Sequence, residues 1–163
     1  MKKQVLDFEK ISRICRRLAY QILENNINED EILLVGIKEK GYEIAKIIEK
    51  KLKKITSTKV YLKSITIDKK NPNQISEFDI NFNQMPKSVY LVDDVLNTGK
   101  TLMFAVNSLL KYDFSLIKTL VLIDRNHKKY PIKVDFKGIS LSTNLDDTVK
   151  LISENKNLEA VLV

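Results

Sequence analysis

The sequence predicts an α/β fold, a central parallel sheet with helices on both faces. Three observations carry that expectation. ILLVGI (residues 32–37), VYLV (89–92) and IKTLVLI (117–123) are short apolar runs suited to strands buried on both faces. Between them stand stretches with apolar residues at three- and four-residue steps. Such alternation argues for a parallel sheet whose binding loops gather at the carboxyl ends of its strands. With 163 residues, 44% hydrophobic and 30% charged, the chain is expected to form one globular domain over 1–163.

The first element reads as an amphipathic helix ending near Asn25 and Asn26, since Phe8, Ile11, Ile14, Cys15, Leu18, Ala19, Ile22 and Leu23 recur on one face. After the 32–37 strand, GYEIAKIIEKKLKK places Ile44, Ile47, Ile48 and Leu52 inward. Its last turn carries lysines, which suits the negative end of a helix dipole. VYLKSITI (60–67) reads as the next strand, and a polar stretch containing Asn71-Pro72 separates it from VYLV. A helix from Thr101 to about Tyr112, with Leu102, Ala105, Val106, Leu109 and Leu110 inward, leads to the 117–123 strand. Beyond Pro131 the pattern changes to short strand-like pieces, IKVDF, GISL and a final LEAVLV, with the polar TNLDDT between them.

Composition excludes several classes of function. No apolar run approaches the ~20 residues of a membrane span, and MKKQVLDFEK lacks the apolar core of a signal peptide, so the chain is expected in the cytoplasm. One cysteine, Cys15, cannot form an internal disulfide, and with one histidine there is no zinc-type cluster. Any metal is therefore expected on oxygen ligands. The net charge of +7 suits a polyanionic partner, whether nucleic acid or a phosphorylated small molecule.

The stretch that carries chemistry is LVDDVLNTGKT, residues 91–101. It ends in Gly-Lys-Thr like a Walker loop, but the glycine such a loop needs five residues before Gly99 is Asp94. What remains is a strand that ends in two carboxylates and turns through Leu96, Asn97, Thr98 and Gly99 into a helix. Backbone N–H groups and hydroxyls at that helix entrance suit a dianionic phosphate. Asp93 and Asp94, set back from the phosphate, can accept hydrogen bonds from sugar hydroxyls. A ribose 5-phosphate fits both halves.

VYLVDDVLNTGKT resembles the phosphoribosyl diphosphate (PRPP) binding motif of type I phosphoribosyltransferases. VGIKEKG (35–41) is similar to that family's pyrophosphate loop. LVLIDRNHKKYPIKVDFKG (120–138) resembles the pyrimidine operon attenuator/uracil phosphoribosyltransferase (PyrR) group. The resemblance implies the type I fold with a small hood formed largely by the C-terminal segment. It implies that Asp93 and Asp94 bind ribose and serve catalysis, that Asn97, Thr98, Gly99, Lys100 and Thr101 bind the 5′-phosphate, and that Lys38, Glu39, Lys40 and Gly41 face pyrophosphate. Asp124, Arg125 and His127 would border the nucleobase. Mg²⁺ is the implied cofactor, held through PRPP oxygens, and the implied reaction is transfer of phosphoribose to a base, uracil being the expected one.

Two departures from the family pattern matter. The group carries Tyr-Arg-Asp-Asp at the base of a mobile lid, where this chain has Asp68-Lys69-Lys70-Asn71; Lys69 keeps one positive charge and is assigned the catalytic role there, without arginine's bidentate geometry. An altered lid puts turnover at risk more than binding. Asn97 stands where hypoxanthine-type enzymes place an aspartate that serves as base, which argues against a 6-oxopurine substrate. The expected partners are PRPP and a nucleobase or nucleoside monophosphate, with a homo-oligomer of at least two copies. The alternative reading is an RNA-binding attenuation regulator that senses nucleotides through the same site. Its phosphate contacts would come from Lys2, Lys3, Arg13, Arg16, Arg17 and the 50–54 lysines.

Overall fold

The computed structural model describes all residues except 1, 28, 29, 69, 72–74 and 77–85, with the backbone alone at 75–76. Twelve elements follow one another among the described residues: β1 (Lys3–Leu6), α1 (Phe8–Asn25), β2 (Glu31–Ile37), α2 (Lys40–Ile55), β3 (Lys59–Ile67), β4 (Ile75–Ser76), β5 (Ser88–Leu96), α3 (Lys100–Leu109), β6 (Leu116–Asp124), β7 (Phe136–Ser140), β8 (Val149–Glu154) and β9 (Asn157–Leu162). The main sheet runs in the order β4-β3-β2-β5-β6-β7, parallel except for the antiparallel β3–β4 pair. A second sheet, β1-β9-β8, is antiparallel.

The α/β expectation is met, with helices on both faces. On one face α1 and α2 pack against each other and bury Ile11, Cys15, Leu18, Ile22, Ile44, Ile48 and Leu52 over Leu34, Tyr90, Val92 and Leu120. On the other, Leu102, Ala105 and Leu109 of α3 cover Leu33, Leu91 and Val121. Asp7 caps α1 by accepting from Lys10 N–H at 2.8 Å, one of the four donors that a helix start leaves without an internal partner. The first core cluster also takes in Val149, Leu151, Leu158 and Ala160, so the antiparallel sheet is fastened to the main one by apolar packing.

Several sequence expectations are corrected in detail. Phe8 and Leu110 are 40% and 66% exposed, because α1 starts at Phe8 itself and α3 ends at Leu109, short of Tyr112. IKVDF is not a strand. Asp135 breaks it by turning its carboxylate onto Thr119, accepting from the Thr119 N–H at 2.8 Å and hydroxyl at 3.2 Å, and regular pairing begins only at Phe136. The strands β1 and β8 were absent from the sequence reading. The hood therefore draws on both ends of the chain, with β1 paired to β9, as well as on the C-terminal segment.

Strand order positions the site. From β2 the chain crosses by α2 to β3 on one side, while β5 crosses by α3 to β6 on the other, so the direction of winding reverses between neighbours β2 and β5. A crevice opens at such a reversal beyond the carboxyl ends of the strands. The loops that follow β2 and β5 are the two that the sequence singles out.

Candidate functional site

A cavity of about 450 Å³ lies at this reversal. Lys38, Glu39 and Lys40 contribute one wall, and Asp93, Asp94, Asn97, Thr98, Gly99 and Thr101 another. Residues 148–152, at and just before the start of β8, close a third side, and Ile37, Ile67 and Leu102 are among the apolar residues lining it. Gly41 and Lys100 adjoin these walls without being among the lining residues.

Each wall has a local cause. The 38–39 loop is pinned to the neighbouring strand by Lys38 N–H donating to the Ile65 carbonyl at 2.8 Å, and the Lys38–Glu39 peptide is cis. Lys40 opens α2 and pairs with Glu43 at 3.4 Å. Gly41 brings that helix start onto β5, where Asp93 is held by its Oδ1 accepting from the Asp94 N–H at 2.9 Å. Both aspartates are half-buried.

The turn after β5 is held from below and left open above. The Thr98 carbonyl accepts from Lys129 N–H at 2.9 Å and Tyr130 N–H at 3.1 Å. Gly99 has φ +89°, a left-handed conformation that favours glycine, and serves as the N-cap of α3. The N-cap glycine offers no capping side chain, and of the first-turn donors Lys100 N–H is taken by Thr98 Oγ1 at 3.3 Å; an anion at the helix start is the natural partner for the others.

Asp124, Arg125 and His127 sit elsewhere than in the cavity wall. Asp124, 2% exposed, pairs with Lys137 at 3.5 Å and accepts from the Asn126 N–H at 3.0 Å. The Arg125 guanidinium is buried and donates to Asn97 Oδ1 at 2.9 Å, to Thr143 Oγ1 at 2.8 and 3.2 Å, and to the carbonyls of Asn144 and Asp147. His127 Nε2 donates to the Thr143 carbonyl at 2.8 Å. Arg125 and His127 thus tie the segment after β6 to the loop at 143–147, while Asp124 is held by Lys137 and Asn126. Lys69 lies outside the described residues; beside it, Asp68 Oδ1 accepts from Lys70 N–H at 2.8 Å.

Residues 148–152 are the part of the site that sequence reasoning missed. A signal was present in the alternation of Val149 and Leu151, both buried, with exposed Lys150 between them. The polar TNLDDT directly before it masked the start of that strand.

A family model described as phosphoribosyl transferase domain matches residues 1–153. The chain belongs to the phosphoribosyltransferase family. Within it the relatives are PyrR proteins. The bifunctional protein PyrR of Haemophilus ducreyi is 32% identical, covering 95% of this chain and 92% of its own. The pyrimidine operon regulatory protein of Lactococcus lactis is 30% identical, covering 99% and 96%. Among solved structures, a hypoxanthine-guanine phosphoribosyltransferase from Bacillus anthracis superposes with a TM-score of 0.79 at 16% identity, over 99% of this chain and 97% of that one. The hypoxanthine phosphoribosyltransferase of Trypanosoma cruzi gives a TM-score of 0.77 at 14% identity, over 97% and 95%. These structural likenesses establish the type I phosphoribosyltransferase fold. No described helix is long and apolar enough to cross a membrane.

Proposed function

We propose that the chain, as one domain in the cytoplasm, transfers the phosphoribosyl group of PRPP to a pyrimidine base, uracil first among them, and releases pyrophosphate. The observation that carries this reading is one cavity that joins the 38–40 loop, the Asp93-Asp94 pair and the 97–101 turn. The 5′-phosphate lies at the start of α3, with Lys100 beside the turn. The ribose hydroxyls donate to Asp93 and Asp94, and the diphosphate lies along Lys38, Glu39, Lys40 and Gly41. The base lies toward residues 148–152, with Asp124, Arg125 and His127 supporting that side.

In the reaction the bond from ribose C1′ to the diphosphate oxygen breaks, and a bond from C1′ to a ring nitrogen of the base forms. Negative charge grows on the departing diphosphate, so lysines fixed near it stabilise the transition state more than the ground state. The site holds two half-buried carboxylates, hard oxygen donors that fit Mg²⁺, and among the described residues no group of three or more potential ligands occurs. Asp93 and Asp94 are the residues that would hold such an ion with PRPP, and it would supply charge neutralisation on the diphosphate.

The test is calorimetry with PRPP and Mg²⁺, followed by a screen of uracil, hypoxanthine, guanine, xanthine and adenine that reads pyrophosphate release. Binding with uracil-dependent release supports the reading; no binding at millimolar PRPP sinks it. A second reading is favoured by the relatives' names and by exposed Lys2, Lys3 and Arg16 on and before α1. In it the same site senses nucleotides while a dimer or larger assembly binds pyrimidine leader RNA. Salt-dependent retardation of that RNA, against a scrambled control, separates the two.

A further inference from the structure

Arg125 is a cation at 7% exposure whose acceptors, among the described residues, are all neutral oxygens: Asn97 Oδ1, Thr143 Oγ1 and the carbonyls of Asn144 and Asp147. None is a carboxylate. A guanidinium taken out of water without a counter-charge depends on every dipole around it, because each acceptor lost leaves a desolvated donor.

Those acceptors belong to two loops that no backbone pairing joins among the described residues. Asn97 stands in the turn that leads into α3, and the others stand in the loop that runs into the cavity wall at 148–152. The segment carrying Arg125 is itself lashed to the turn by main chain. Arg125 N–H donates to the Leu96 carbonyl at 3.1 Å, and Lys129 and Tyr130 N–H hold the Thr98 carbonyl. On the hood side His127 Nε2 adds its bond to the Thr143 carbonyl at 2.8 Å. The turn therefore cannot shift against the hood loop without stripping acceptors from a buried cation. An anion at the start of α3 would also bring negative charge to within one side chain of a guanidinium that the fold leaves uncompensated, in surroundings where charges couple strongly.

We propose that Arg125 is a positioning residue through which an anion at the start of α3 fixes the hood wall at 148–152. The proposal rests on the phosphate reading above and adds to it a coupling between two walls of the cavity. By linkage, whatever holds the hood in place tightens the anion by the same factor. The physical route has two hydrogen-bonded steps, Asn97 to Arg125 and Arg125 to the loop at 143–147.

The strand β8 carries its own reporters. Thr148 and Val163 exchange both backbone hydrogen bonds at 2.8 Å, so by antiparallel alternation the amides of Lys150 and Ile152 also point to β9. These amides exchange with solvent only when the hood opens.

Ribose 5-phosphate is the probe, since it carries neither diphosphate nor base, and protection of β8 then has to arrive through the protein. Amide exchange of Thr148, Lys150 and Ile152 is read by NMR on the full chain, with and without saturating ribose 5-phosphate. In the unaltered protein the ligand should slow exchange roughly fivefold, the low end of ordinary coupling between sites. In Arg125→Met, which keeps much of the side-chain volume, saturating ligand should leave the rates unchanged. Arg125→Lys, with its charge kept and fewer donors, should restore part of the effect. Thr143→Val keeps the shape of a half-buried side chain and removes the hydroxyl acceptor, so it should reduce the slowing while leaving the phosphate turn intact. Full slowing in both Arg125→Met and Thr143→Val overturns the proposal, and should Arg125→Met fail to fold, full slowing in Thr143→Val alone does so. Ligand binding without any slowing in the unaltered protein also overturns it and leaves the site reading standing. Absence of ribose 5-phosphate binding by the unaltered protein overturns both.

Discussion

Gly41 lies so close to Asp93 that a β-carbon added to it would stand 2.9 Å from Asp93 Cα and 2.7 Å from the Val92 carbonyl oxygen. Both atoms are backbone and cannot swing away. Gly41→Ala should push the start of α2 off β5, at a cost of about 1–3 kcal/mol in stability. Because the displaced helix start carries the proposed diphosphate loop, PRPP affinity should fall alongside the denaturation midpoint. Unchanged PRPP binding in the folded variant would place the diphosphate elsewhere.

Asp94→Asn tests the sugar half of the site. The substitution keeps the shape of a half-buried side chain and removes its charge. Hydrogen bonds to charged groups are the stronger kind, so PRPP should bind about tenfold more weakly, ~1.4 kcal/mol. Calorimetry showing equal affinity would remove the ribose from this carboxylate.

Gly99→Ala addresses the phosphate turn by a different route. The residue has φ +89°, and an added β-carbon would stand 2.5 Å from Ile132 Cγ2. Forcing a side chain into that conformation costs on the order of 1–3 kcal/mol. The crowding could be relieved by Ile132→Ala, which removes the Cγ2 methyl, but the backbone strain could not. The double variant should therefore recover only part of the lost melting temperature, and full recovery would show that crowding alone was at issue.

Cys15 gives a pH-dependent prediction. Burial pushes its thiol pKa from the ordinary 9.0 up to about 12, with Lys51 opposing weakly. In the unfolded chain the thiol ionises near its ordinary value, while in the folded chain it stays protonated. Between pH 9 and 12 the folded state therefore holds the extra proton, and stability falls as pH rises through that window. Relative to Cys15→Ala, the unaltered chain should lose about 1.4 kcal/mol per pH unit there. Below pH 9 the two should run parallel, and thiol reagents should label Cys15 only as fast as the chain unfolds. Fast labelling of the native protein would contradict the burial.

The central sheet was legible in the sequence because β2, β5 and β6 are buried on both faces, which demands unbroken apolar runs that nothing else in the chain imitates. Asp93, Asp94 and the 97–101 turn were legible for the opposite reason, as charge and glycine placed where an apolar strand should simply end. The hood was hard to see. β1 has four residues, two of them buried or half-buried, and its partner β9 lies at the other end of the chain, so no local pattern announces it. Arg125 was singled out as a neighbour of the base, but its hydrogen bonds run to Asn97 and Thr143, contacts separated by 28 and 18 residues in sequence. Periodicity cannot reveal such pairings, since it registers only what is close along the chain.

The pairing of β1 with β9 has a consequence for the protein during its own synthesis. The two loops that line the cavity after β2 and β5 have left the ribosome once β5 and the start of α3 have emerged, but β1 cannot find its partner until β9 does. A growing chain thus carries two walls of the cavity for much of its elongation, with the wall at 148–152 following them and the strand β9 that supports it emerging later still. Closure of the hood is in this sense a late event, and a nucleotide that needs all three walls would be excluded until β9 has paired.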